Sequence, residues 1–245
     1  GGGSHALRAE VRTRWAETPL DAEVAEALAA LGPGREQAHF WRLVQWSAGH
    51  PYAGQRHGAG ITDENWAAAL LAGAEECLEA ERPAPVALGL LRLSLGNREF
   101  SPRVQMVRQV AQDAWLGSAA GSAGAAMPCA WAMLGSGEAV GDVGALADAI
   151  AAEQPSSESV VSLMQDEHVH PSSWPALGGG GGVPTVVLYG QLFTPELSEF
   201  LAELEGRAEE GEIALLLRLS DWGCHAGCGG VAPAVAALGW GVELA

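Results

Sequence analysis

The chain of 245 residues is 48% hydrophobic and 18% charged, enough apolar material for a substantial core and too much for a disordered chain. Thirty acidic against thirteen basic residues give a formal charge of −17. A nucleic-acid backbone or an anionic membrane would repel such a surface, so neither is an expected partner. No run of about twenty apolar residues occurs, so no membrane insertion is expected. GGGSHALRAE also lacks a charged n-region followed by an apolar h-region, so no signal peptide is visible.

In chain order, Ala6 to Trp15 alternates apolar with polar residues and predicts a strand. Thr18-Pro19-Leu20-Asp21 supplies an N-cap and a Pro at N1 for a helix with Val24, Leu28 and Leu31 on one stripe, ended by Gly32-Pro33-Gly34. Helices follow over Glu36–Ala48, from Thr62 through Leu78, over Pro85–Leu95 and over Pro102–Trp115, the last with Ser101 as N-cap. Gly- and Pro-rich turns join them into a helical subdomain over 35–116. Gly117–Ala126 reads as a loop, Gly144–Ala152 as a short helix and Val160–Leu163 as a short strand. The pentaglycine Gly178–Gly182 leads into the clearest unit in the chain. There Thr185–Tyr189 and Ile213–Leu217 are uncharged strands buried on both faces. Between them lies a helix with Thr194 as N-cap, Pro195 at N1, Leu197, Phe200, Leu201 and Leu204 on one face, and Gly211 at its end. A crossover between parallel strands is the economical reading. Gly239–Ala245 resembles the start of a strand, which suggests a piece of a longer protein.

Candidate chemistry is sparse. A thiol redox centre at the start of the helix after the first strand needs Cys-x-x-Cys, and Glu17-Thr18-Pro19-Leu20 carries no sulfur. Cys224 and Cys228 have a spacing suited to a local disulfide, a thiol oxidoreductase site or half of a zinc site, without a second matching pair. Asp166, Glu167, His168 and His170 have metal-binding side chains, but a polar strand edge running into Pro171-Ser172-Ser173 is the better reading, and no metal site is assigned. Motifs for phosphate cradles and hydrolase nucleophiles are missing, as is the Asp-x-Asp pair of metal-dependent nucleotide-sugar enzymes.

Several colinear stretches resemble the N-terminal region of the UDP-glucose:glycoprotein glucosyltransferase family. They are VRTRWAETPLDAEVAEAL, HFWRLVQWS, LLRLSLGNREFSPRVQMVRQVA, EHVHPSS, the segment from Val183 to Ser220, and GWGVELA. The resemblance implies an α/β fold: a thioredoxin-like sheet domain, here over 6–32 and 158–245, split by the inserted all-helical subdomain. Composition makes 117–157 a flexible Gly/Ala-rich connector holding a short helix, an insert of this chain's own. It makes His168 part of a structural segment. It implies no catalytic, cofactor-binding or metal residue in this chain. UDP-glucose and a divalent cation would belong to a catalytic domain outside it.

The implied role is to help recognise misfolded or incompletely folded N-glycoproteins in the endoplasmic reticulum lumen. Trp46, Trp66, Trp131 and Trp174 lie in or near loops and are the aromatics to consider for client contact, although an ordinary place in the core is the stronger expectation for each. The chain departs from the family at Leu219-Ser220-Asp221-Trp222, where a His-Tyr pair is usual, and at Cys129, which has no nearby cysteine partner in sequence. A stand-alone interaction module is the remaining alternative.

Overall fold

The structure, a computed structural model, describes residues 7–9, 18–31, 37–50, 63–79, 84–153, 167–174, 182–220 and 242–244. Strand β1 (Leu7–Ala9) precedes helices α1 (Leu20–Leu31), α2 (Ala38–Gly49), α3 (Asp63–Glu79), α4 (Ala84–Asn97), α5 (Ser101–Gly117) and the short α6 (Ala119–Ser122). Then come β2 (Ala130–Leu134), β3 (Ala139–Val140), α7 (Val143–Ala152), β4 (His168–Val169) and a 3₁₀ turn at Pro171–Ser173. Strand β5 (Thr185–Gly190), helix α8 (Pro195–Glu209), β6 (Ala214–Leu219) and β7 (Val242–Leu244) complete the order.

The five-stranded sheet runs β3-β2-β5-β6-β4. Its centre is the expected crossover: β5 and β6 pair in parallel from Thr185↔Ala214 to Gly190↔Leu219, with α8 between them in sequence. The helix ends follow local chemistry. Thr194 Oγ1 accepts from the Leu197 N–H at 3.3 Å, and Pro195 occupies the first turn, where no N–H is needed. At the other end Gly211 takes φ 75°, and the Glu212 N–H returns 2.9 Å to the Arg207 carbonyl, closing a Schellman-type terminus.

Residues 117–157, expected to be a connector, instead supply a central strand. β2 pairs antiparallel with β5 over its whole length, and all of Ala130–Leu134 is buried. Five apolar residues have no period to separate strand from helix, and the Gly/Ala run before them hides the sheet partner. That run itself ends α5 and forms α6, with Ser118 Oγ accepting from the Gly121 N–H at 3.2 Å. Asp142 caps α7 through the Gly144 N–H, close to the expected helix. The first and last strands also appear, as a separate antiparallel pair of Leu7–Ala9 with Val242–Leu244. Val160–Leu163 and all of the pentaglycine but Gly182 lie outside the described residues.

Alternation along the strands builds two cores. Val186, Leu188, Leu215 and Leu217 face a large cluster shared with α8, α7 and helices α1 to α4. Trp131, Met133, Val187, Tyr189, Leu216 and Val169 face a smaller one completed by Ala111 and Trp115 of α5. Helix α1, assigned from sequence to the sheet half, packs against α2, α3, α4 and α5. Every residue from Leu20 to Leu28 is buried, so this helix has no solvent face over that length.

The layout predicts sharply unequal costs for equal truncations. Leu217→Ala removes a fully buried side chain beneath the helices and is expected to cost about 2–5 kcal/mol. Leu90→Ala, on the exposed side of α4, is expected to change stability by less than about 0.5 kcal/mol. Urea denaturation of both variants checks the contrast.

Candidate functional site

The chemically richest place is the junction of helices and sheet at Glu167-His168-Val169-His170. Side chains alternate along a strand, and here the alternation sends charge to both faces. His168 pairs with Leu217, which lies on the helical face, and Val169 pairs with Leu216, on the other. Glu167 sits next to the strand on the same side as Arg218.

On the second face Glu167 and Arg218 form a buried ion pair, both residues less than one-tenth exposed. Arg218 Nε lies 3.2 Å from each Glu167 oxygen, and Nη2 donates to Oε1 at 2.5 Å. Arg218 Nη1 also donates to the Tyr189 hydroxyl at 2.6 Å. Cross-strand register extends the row, since Arg218 lies opposite Tyr189 and Tyr189 opposite Trp131. The Trp131 and Tyr189 rings stack at 4.3 Å, with Trp115 edge-on to Trp131 at 5.3 Å. Burial pulls the Arg218 guanidinium down, but the Glu167 and Tyr189 contacts outweigh it and hold it above its ordinary value. Burial pushes the Tyr189 phenol up.

On the helical face His168 meets α1 and α2. Its Nε2 lies 3.0 Å from Glu26 Oε1, its Nδ1 2.5 Å from Gln37 Oε1, and its ring stacks on Phe40 at 3.8 Å. Arg103 of α5 donates to the second Glu26 oxygen at 2.5 Å. Burial raises the Glu26 carboxyl, yet His168 and Arg103 together hold it below the usual carboxylate range. One turn earlier on α1, Glu23 accepts from Arg98 at 2.9 Å, from Ser101 at 2.6 Å and from the Thr18 hydroxyl. Two assigned caps are thereby reinterpreted. Ser101 lies inside α5, with Phe100 preceding it as the cap residue, and its hydroxyl serves Glu23, as does that of Thr18. A buried carboxylate needs these donors more than an exposed helix end does.

Helix α2 also closes the outer edge of β4. The backbone of His170 turns inward to the Leu215 carbonyl, which leaves the Glu167 and Val169 carbonyls facing away from the sheet. Trp41 Nε1 donates to Val169 at 2.9 Å and Gln37 Nε2 points at Glu167 at 3.4 Å. An edge that could template another strand is thus covered.

The residues singled out from sequence scatter. Trp131 is fully buried in the smaller core, and Trp66 is buried edge-on to Phe193 at 4.5 Å, so neither offers a surface to a partner. Trp46 is half-buried against Phe193 and His50, and half-buried Trp174 packs on the smaller core. Proximity to a loop in sequence did not imply exposure, because the sheet and α8 fold back over those positions. Cys224 and Cys228 lie outside the described residues. Cys129 is disulfide-bonded, whereas Cys77 is a free buried thiol pushed up to about 11 by burial. Among the described residues no three His, Cys, Asp or Glu side chains gather as metal ligands, and Glu167 and His168 point to opposite faces. What sequence reading missed is on α4. Val86, Leu90 and Leu93 fall at i, i+4 and i+7 and are 61%, 47% and 52% exposed. The signal was the surplus of apolar residues in PVALGLLRLSL, which covers more of the helix than one core-facing stripe.

A family model described as a thioredoxin-like domain matches residues 17–220. The chain belongs to that thioredoxin-like domain family. No curated protein matches the sequence. The mixed α/β architecture with its five-stranded sheet and numerous helices agrees with the assignment.

Two predictions follow from the junction. Arg218→Met strands a buried carboxylate and is expected to cost about 3–5 kcal/mol, most of it recovered when Glu167→Met is added. Urea denaturation of the single and double variants decides this. Because the folded Glu26 carboxyl sits below its unfolded value, its contribution is complete above the unfolded value. It is lost as pH falls through the folded one. Stability measured against pH should therefore drop less steeply on the acid side in Glu26→Gln than in the parent.

Proposed function

We propose that this thioredoxin-like chain is the N-terminal recognition portion of a folding sensor of the UDP-glucose:glycoprotein glucosyltransferase type. It would contribute a surface for misfolded or incompletely folded N-glycoproteins. The observation that carries this reading is the apolar stripe Val86–Leu90–Leu93 on α4 of an otherwise strongly acidic protein. All five large apolar side chains exposed among the described residues, Met106 and Leu116 included, lie on α4 and α5. Exposed apolar surface on two consecutive helices suits the capture of apolar segments that a folded client would bury. The disulfide at Cys129 fits an oxidising compartment such as the endoplasmic reticulum lumen. Glucose transfer from UDP-glucose, with its divalent cation, would be the work of a domain outside this chain.

The competing thiol oxidoreductase reading gains nothing from the described cysteines. Cys77 is buried with its thiol raised to about 11, far from the thiolate that such chemistry requires.

Binding of the chain to a denatured N-glycoprotein and to its native form tests the proposal. Preference for the denatured form is expected, and the double change Leu90→Ser and Leu93→Ser should weaken it by about ten-fold or more without lowering the melting temperature. Equal binding to both forms would favour a stand-alone module. Any glucose transfer by the isolated chain would overturn its non-catalytic assignment.

A further inference from the structure

We infer that the uncovered side of α4 takes up its partner as an amphipathic helix with an acidic residue on one flank, and not as an extended segment. This rests on the reading of that side as a client surface and adds the form and charge of the segment held there. Spacing sets the form. Val86, Leu90, Leu93 and Asn97 follow one another at steps of four, three and four residues, the seam along which one helix meets another. Leu91 and Leu95 point the opposite way, into the large core, so the seam plays no part in packing within the chain. A helix uses its own N–H and C=O groups internally, so α4 offers an extended segment no backbone partner. Such a segment would lose water from its peptide groups and gain nothing in return, whereas a helix arrives with them already paired.

Size and charge narrow the occupant further. Three side chains about half-exposed on a single helix supply a small part of the roughly 800 Å² per partner that a stable dimer buries. A formal charge of −17 also opposes self-association, so one weakly held helical segment fits the stripe better than a second copy of this chain. Helix α4 has no acidic residue, and its one charge is Arg92. Arg92 is exposed and has no ion-pair partner among the described residues, whereas Arg98, Arg103, Arg207 and Arg218 are all paired. Its neighbours along that flank are Gly89 and Gly96, three residues before it and four after, and a Cβ at either would meet nothing within 4 Å. With no side chain in the way, the guanidinium is free to turn toward a carboxylate beside the stripe. Glu99 lies toward the other flank, where Ser94 donates to it at 2.8 Å. The acidic remainder of the surface acts over longer distances, which salt screens.

The test titrates two synthetic peptides of identical composition against the full chain, followed by fluorescence anisotropy. One carries Leu at the helical steps of four and three with a Glu on the flank, and the other has the same residues reordered so that Leu alternates as in a strand. The helical peptide is expected to bind about ten-fold more tightly, and Leu90→Ser with Leu93→Ser should abolish the difference. Replacing its flanking Glu by Lys should weaken binding about three-fold in the parent chain and have no effect in Arg92→Gln. Equal or undetectable binding of the two peptides would overturn the inference, as would a difference that survives the double Ser change. A preference for denatured over native glycoprotein that persists in that case would leave the client reading standing. A concentration-dependent dimer, seen by sedimentation and lost in the double variant, would put a second copy on the stripe and overturn the inference as well.

Discussion

The structure depends on one dipeptide that must serve two faces of a sheet. Glu167 and His168 are adjacent in sequence, so strand geometry obliges them to point to opposite sides. One finds Arg218 and the other finds Glu26 and Gln37. Sliding the strand by one residue would exchange those environments and leave charge buried without a partner. Register, edge protection and helix docking are therefore coupled at a single place. The edge strand β4 is only two residues long, and hydrogen bonding by its own backbone could not specify so much.

This arrangement changes the meaning of the protein's charge. A formal charge of −17 gives an acidic surface, yet Glu23 and Glu26 are buried in α1 and Glu167 beside β4. The few basic residues are partly committed to them: Arg98 to Glu23, Arg103 to Glu26 and Arg218 to Glu167. Such pairs are weak sources of net stability, since desolvation offsets much of the attraction, but breaking one is costly. These contacts tie elements that are distant in sequence, with Glu26 of α1 meeting Arg103 of α5 and His168 of β4.

Backbone strain collects where elements dock. Among the described residues, Gln37, Arg98 and Phe193 are the non-glycine positions with positive φ, at 46°, 53° and 63°. Gln37 orients His168, and Arg98 closes the Glu23 cluster. Phe193 wedges its ring between Trp46 and Trp66. Left-handed backbone at such residues costs free energy that packing around them must offset. In this protein it is associated with the docking of helices on each other and on the sheet, while the exposed α4 stripe lies on a regular helix.

The sequence by itself determined the elements whose signals are local. The β5–α8–β6 crossover was legible because Thr194, Pro195 and Gly211 mark the helix ends and the flanking strands are too apolar to be exposed. The helices α2 to α5 were legible from their periodicity, and the missing sulfur at Glu17–Leu20 was evident by inspection. Only the tertiary structure decided the rest. It made Ala130–Leu134 a central strand, buried Trp66 and Trp131, and turned the hydroxyls of Thr18 and Ser101 from caps into donors for a carboxylate. It also left one apolar side of α4 uncovered. Each of these outcomes depends on a partner far away in sequence, and neither periodicity nor capping chemistry carries information about which distant surface a side chain will meet.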